Sequence, residues 1–225
     1  MSRNDAPPQP VETMSAAQLE RRQRVLDAVV ELVAAGSLGD MGMKDIADRS
    51  GVALGTIYRY FSSRDHVAAA ALLEWARTLD GGEATGAVAG AGGRAVDAEA
   101  VAGSAGTGGG SGGTMTDRLV TILHRAVRAY ERQPSFARLL ILAAMSTDPH
   151  ASEAFAQMGG TVYDTLGTAL DGLDPGERRR VLDVVGAVWY QAMIEWVNER
   201  KSIDEVYDSV ESAARLVLAG FEPAS

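Results

Sequence analysis

The stretch Lys44-Asp45-Ile46-Ala47-Asp48-Arg49-Ser50-Gly51-Val52-Ala53-Leu54-Gly55-Thr56-Ile57-Tyr58-Arg59-Tyr60-Phe61 decides the fold. Its apolar positions predict two short helices, near Lys44–Ser50 and Ala53–Phe61, with a turn between them. Ala47 is small where the helices must cross, and Gly51 allows the positive φ that a tight turn needs. Ile46, Val52, Ile57 and Phe61 are the expected buried contacts. That leaves Gly55, Thr56, Tyr58, Arg59 and Tyr60 on or near the outer face. This is a helix-turn-helix pattern, in which the second helix enters a DNA major groove and its flanks hold phosphates. A plain packing role stays open for Tyr58 and Tyr60, and Arg59 reads equally well as a solvated charge.

Working outward, residues 1–14 carry Pro7, Pro8 and Pro10 and are expected to form a disordered arm. Ser15 is a natural N-cap. A helix follows, with Val25, Leu26, Val29, Val30, Leu32 and Val33 as its apolar stripe and Arg21, Arg22 and Arg24 solvated. Gly36 and Gly39 end it. A fourth helix is predicted near Ser63–Leu79. Residues 15–66 are thus one DNA-binding unit and 67–80 a connecting helix. Residues 81–114 hold 13 of the 25 glycines. Such a segment offers little apolar surface to offset its ordering entropy, so a flexible insert is expected. Helical periodicity resumes over 115–222, with predicted helices at Thr116–Gln133, Ser135–Ser146, Ala151–Leu170, Gly176–Arg200 and Ile203–Ala219. Pro134, Pro149 and Pro175 fall at the breaks. No stretch alternates with period two for long, so strands are not expected. The expected class is all-α: an N-terminal three-helix head and a C-terminal helical bundle.

The net charge of −9 is unevenly spread. Residues 1–66 carry eight basic and nine acidic side chains, so the acidity lies behind the head. That suits a specific DNA binder which avoids indiscriminate adhesion, and it suits simple solubility equally. The chain has no cysteine, which excludes disulfides and thiolate chemistry. No apolar run approaches a membrane span, and the N-terminus lacks a signal core, so a cytoplasmic location is expected. Ser111 within Gly109–Gly113 formally matches a nucleophile elbow. The same run formally matches a dinucleotide fingerprint. Both need a preceding strand, and only low-complexity glycine is there. His66, His124 and His150 lack metal-ligand spacing. No catalytic residue, metal or cofactor is expected.

The motif resembles the TetR family of regulators. Ile46-Ala47, Gly51-Val52, Gly55-Thr56-Ile57-Tyr58-Arg59-Tyr60-Phe61 and Ser63-Arg64 carry the likeness, over about residues 20–75. The resemblance implies that Tyr58 and Tyr60 touch DNA. It also implies that Lys44 and Arg64 hold phosphates, Arg64 with a fork of donors in place of the family's usual Lys. Two hydroxyls of the pattern are missing: Gly42 opens the second helix and Ala53 the third. More weakly, the chain resembles the KstR-like subgroup of sterol-catabolism repressors. It shares Ala53, the Tyr58–His66 stretch, the break at Arg132-Gln133-Pro134, and Val188-Trp189 followed by Trp196. That likeness implies a bulky lipid, sterol-derived or acyl-CoA effector.

In the C-terminal part, Trp189, Met193 and Trp196 share one helix face. The family likeness implies a homodimer through the last two helices, with Met193, Trp196, Val206, Val210, Ala213 and Val217 as candidates. Leu123, Phe136, Leu140, Met145, Phe155, Met158, Tyr163 and Trp189 are candidates for an effector pocket, where flexible Met side chains suit an irregular apolar ligand. Core packing remains the plain alternative for each. The expected function is a repressor released from a palindromic operator by a small hydrophobic effector. A helix-turn-helix adaptor under the control of a protein partner is the second reading.

Overall fold

The computed structural model describes residues 7–39, 41–80 and 113–221. The helices are α1 Ala16–Ala34, α2 Met43–Ser50, α3 Leu54–Tyr60, α4 Arg64–Asp80, α5 Met115–Arg132, α6 Pro134–Ala144, α7 Pro149–Gly167, α8 Pro175–Val197 and α9 Ile203–Leu218. Among the described residues there is no strand. The all-α class expected from the sequence is what the chain adopts.

Local chemistry sets these boundaries. Pro134, Pro149 and Pro175 each take the first position of a helix, where a missing N–H costs nothing. Side-chain caps satisfy amides that have no helical partner. The Asp174 carboxylate accepts from the Gly176 and Glu177 amides at 2.8 and 2.9 Å. Thr114 accepts from Asp117 at 3.1 Å, and Ser202 from Glu205 at 3.2 Å. Gly51 ends α2 at φ 65°, the left-handed geometry its sequence position called for.

Helices α1 to α3 form the head. Helix α4 packs against α1 at one end and against α6 and α7 beyond it, while α9 packs against α5 and α8. A single apolar cluster runs from Met14 to Leu218 and includes Val67, Leu72, Leu73 and Trp75 of α4. Head and body therefore share one core. Ala68, Ala69, Ala70 and Ala71 are all buried, which lets α4 lie close to its neighbours.

The N-terminal arm differs from the disordered segment expected over residues 1–14. From residue 7 it has a defined course. Val11–Thr13 make a 3-10 turn, Met14 is buried, and the Gln9 amide donates to the Arg59 carbonyl at 2.8 Å. The prolines fix φ in advance, so ordering this segment costs less entropy than its composition suggests. The proposed insert, residues 81–114, lies outside the described residues apart from Gly113 and Thr114.

Candidate nucleic-acid interface and effector domain

Helix α3 is held by Ile57 and Tyr60 on its inner side, with Val52 and Phe61 flanking; all four are buried. Its open side carries Leu54, Gly55 and Arg59, with Tyr58 half-buried beside them. Thr56 is also half-buried, and Lys44 is exposed on α2. Lys44, Gly55, Tyr58 and Arg59 are thus available to a duplex. Tyr60 is not. It is 3% exposed and belongs to the core, against the outer-face position expected for it. The reason is geometric: Tyr60 lies three residues after Ile57, on the same helical stripe. Arg64 is partly committed, its guanidinium donating to the Leu38 carbonyl at 2.8 Å. Arg49 pairs with Glu31 across the α1–α2 contact at 2.7 Å.

The missing hydroxyls are handled by other groups. The Gly42 amide donates to Asp45 at 2.8 Å, so α2 has a carboxylate partner at its start. Ala53 caps α3 with no side chain, and its carbonyl accepts from Thr56 and Ile57 at 2.7 and 3.1 Å.

Between head and body sits a polar junction that the sequence reading did not find. Asp148 opens α7. Its carboxylate accepts from the Ser62 hydroxyl at 2.8 Å, from the Ser63 hydroxyl, and from the His150 and Ala151 amides at 2.8 and 3.3 Å. Burial opposes its charge, but these donors outweigh burial and hold its carboxyl at about 2. His66 Nδ1 accepts from the Ser62 amide at 3.2 Å, and its ring stacks on His150 at 5.3 Å and meets Phe61 edge-on at 5.2 Å. Burial, then the neighbouring His150, push the His66 imidazole down to about 4, against the opposing pull of Asp148. Ser146 adds a hydrogen bond to Asp65 at 2.8 Å. The residues joined here are more than 80 positions apart, and no local pattern pairs them.

The expected effector residues divide. Leu123, Phe136, Leu140 and Met158 are buried, and Phe155, Tyr163 and Trp189 are half-buried. Met145 departs from expectation: it caps the end of α6 and is 74% exposed. Tyr163 faces the outside of α8, bonding Asp183 and lying under Arg179. Phe136, Trp189, Trp75 and Tyr130 form an aromatic group. Trp75 stacks on Phe136 at 4.4 Å, and Tyr130 meets Trp75 and Trp189 at 5.0 and 5.6 Å. The Trp189 indole N–H is buried and has no partner among the described residues.

The expected dimer residues also divide. Met193, Val206, Val210 and Ala213 are buried within the protomer and cannot meet a second copy without unpacking; Trp196 and Val217 are half-buried. The strongest apolar stripe of each helix closes the α8–α9 contact itself. The outward stripe is Val184, Ala187, Val188 and Gln191 on α8, with Ser209, Ser212 and Leu216 on α9. Leu216 is 77% exposed and Val184 49%.

A small helical head with an open recognition helix, fused to a helical bundle, defines a helix-turn-helix DNA-binding regulator. Residues 25–71 match the family described as bacterial regulatory proteins, tetR family. Residues 112–217 match the tetracyclin repressor-like C-terminal domain. The chain belongs to the TetR family of transcriptional regulators. It is 28% identical to the HTH-type transcriptional repressor KstR of Mycobacterium tuberculosis over 95% of this chain and 92% of that protein. It is 28% identical to KstR of Rhodococcus jostii over 91% and 85%. A TetR transcriptional regulator from Rhodococcus sp. RHA1 superposes with a TM-score of 0.71 at 21% identity, covering 93% of this chain and all of that one. The regulator FadR from Bacillus subtilis, solved with stearoyl-CoA, superposes at 0.56 and 17% identity, covering 89% and 99%. These two likenesses are of fold. Among the described residues no helix is long and apolar enough to cross a membrane.

Proposed function

We propose that this protein is a homodimeric, cytoplasmic transcriptional repressor whose open α3 face reads a near-palindromic operator, and that a small apolar effector releases it. The observation that carries the reading is the open face itself: Gly55 and Arg59 of α3 are exposed, Tyr58 is half-buried between them, and Lys44 is exposed on α2. Two copies joined through the outward α8–α9 stripe would present two such faces, about 34–36 Å apart or a multiple of that, to one side of a duplex. Leu216 and Val184 are the apolar surface that supports such a contact. On the effector side, the unpartnered Trp189 indole N–H within an aromatic group suits a bulky apolar molecule bearing an oxygen acceptor. Control by a protein partner is the second reading, and the exposed Leu142 on α6 and Met145 just past its end favour it.

The test is a titration of the chain's own upstream DNA by mobility shift and footprinting. Wild type protects a two-fold symmetric site, and Tyr58→Ala loses at least tenfold in affinity. Binding weakens with salt, and Lys44→Ala lowers the salt slope by about 1. Full affinity in Tyr58→Ala would show that another surface reads the DNA.

A further inference from the structure

We propose that Leu54 reads a thymine 5-methyl group in the operator's major groove. The inference rests on the α3 face being the DNA-reading face, and it assigns a base preference to that face. Leu54 is 40% exposed, although it sits between Val52 and Ile57, which are both buried. It is absent from the apolar cluster that gathers Val52, Ile57, Tyr60 and Phe61, and from the partly buried residues packed against that cluster. The fold therefore leaves a large part of its side chain open to a partner. Leu54 lies one turn before both Ile57 and Tyr58, at the edge between the buried stripe and the open side, and its exposure places it on the open edge beside Tyr58.

Gly55 supplies an independent observation. A Cβ there would meet nothing within 4 Å inside the protein, and its φ is not positive. Neither packing nor a positive φ requires glycine at this position in the first turn of α3, where it is a poorer helix former than alanine. The space it leaves lies outside the molecule, on the side that meets the duplex. A backbone able to come that close brings the adjoining Leu54 to the base edges.

Chemistry then selects the base. In the major groove guanine, adenine and cytosine are told apart by hydrogen-bond donors and acceptors, and only thymine adds a C5-methyl. A leucine cannot donate or accept a hydrogen bond, so it covers the polar edges at a cost and gains only over the methyl. Arg59, one turn beyond Gly55 and exposed, sits on the same side as a cation for phosphate or guanine.

The experiment replaces single thymines by deoxyuridine in a duplex carrying the footprinted upstream site, which removes one methyl and nothing else. At one symmetric pair of positions the replacement should weaken wild-type binding about fourfold per half-site, the worth of about one buried methyl. Leu54→Ala should bind both duplexes alike at that position. Leu54→Gln should turn the preference there toward adenine in a selection from random duplexes. Both changes are at an exposed residue and leave the core intact. If every thymine-to-uridine change affects wild type and Leu54→Ala equally, the assignment to Leu54 is overturned while the reading face stands. If wild type binds but Tyr58→Ala binds as tightly, the reading face itself is overturned and Leu54 with it.

Discussion

The half-buried His66 makes stability depend on pH in a window where few other side chains titrate. Its imidazole is held at about 4, chiefly by burial, with His150 stacked on it, Asp148 opposing and Arg22 adding a like charge. In the unfolded chain it titrates near 6.5. Between these values the unfolded chain takes up a proton that the folded chain refuses, so stability is full above 6.5 and falls as the pH drops toward 4. At full strength the gap corresponds to about 3 kcal/mol. The ring is partly open to water, so we halve this to about 1.5 kcal/mol, of which about 1 kcal/mol is lost by pH 5. In a chain of this length that lowers Tm by about 2–4 °C. The comparison is wild type against His66→Asn, whose amide oxygen still accepts from the Ser62 amide. Titrating groups that do not touch His66 are common to both proteins and cancel. Calorimetry at pH 7 and pH 5 should show wild type losing about 1 kcal/mol more than the variant. Equal losses would refute the burial argument, as would an NMR titration of His66 near its ordinary value.

The junction and the turn after α2 give three further expected outcomes. Asp148→Ala removes a helix cap and strands two serine hydroxyls, and should destabilise the protein by about 2 kcal/mol in urea unfolding. In wild type the Asp148 contribution should persist down to about pH 4 and fade as the pH falls toward 2, because its folded value lies below its unfolded one. Gly51→Ala places a side chain at φ 65° and should cost about 1 kcal/mol or more, with the head melting earlier by circular dichroism.

The helices were legible because prolines and capping side chains sit at their starts and the period between them is regular. The head was legible for a further reason: its turn needs Gly51 and its crossing needs Ala47, and both are local. What failed was the assignment of faces. The outer-face expectation for Tyr60 rests on the TetR resemblance and on its being left over once the buried contacts are assigned, while the 100° step per residue puts it beside Ile57. Leu54 carries no sequence signal for exposure, since an apolar residue one turn before both Ile57 and Tyr58 fits either face. In α8 and α9 the family likeness points to the last two helices as the interface between copies, yet a helix spends its richest apolar stripe on its own protomer first. Met193, Val206 and Val210 went there, leaving the sparser stripe of Val184 and Leu216 facing out. The Asp148 junction was illegible because its partners lie some 85 residues away, and single polar residues at that distance carry no periodic signal.

That junction bears on how an effector could move the head. Helix α4 is bound at both ends of the body. Near its far end Trp75 stacks on Phe136, in the aromatic group that contains Trp189. At its near end Ser62 and Ser63, just before Arg64, are fixed to α7 through Asp148. The buried alanines between leave no slack, so a ligand that displaced Trp75 would shift α4 as a rod rather than bend it. The rod cannot swing unless the Asp148 junction stretches or breaks. Losing one cap and two hydroxyl contacts costs about 2 kcal/mol, which lies within the 1–3 kcal/mol typical of coupling between sites. A junction much stronger than this would lock the head in one spacing whatever the ligand did. A much weaker one would let the head drift on DNA without instruction. Asp148→Asn, which keeps an acceptor and discards the charge, should therefore loosen the coupling before it unfolds the protein. The sign of its effect on operator affinity would show which head spacing the junction holds.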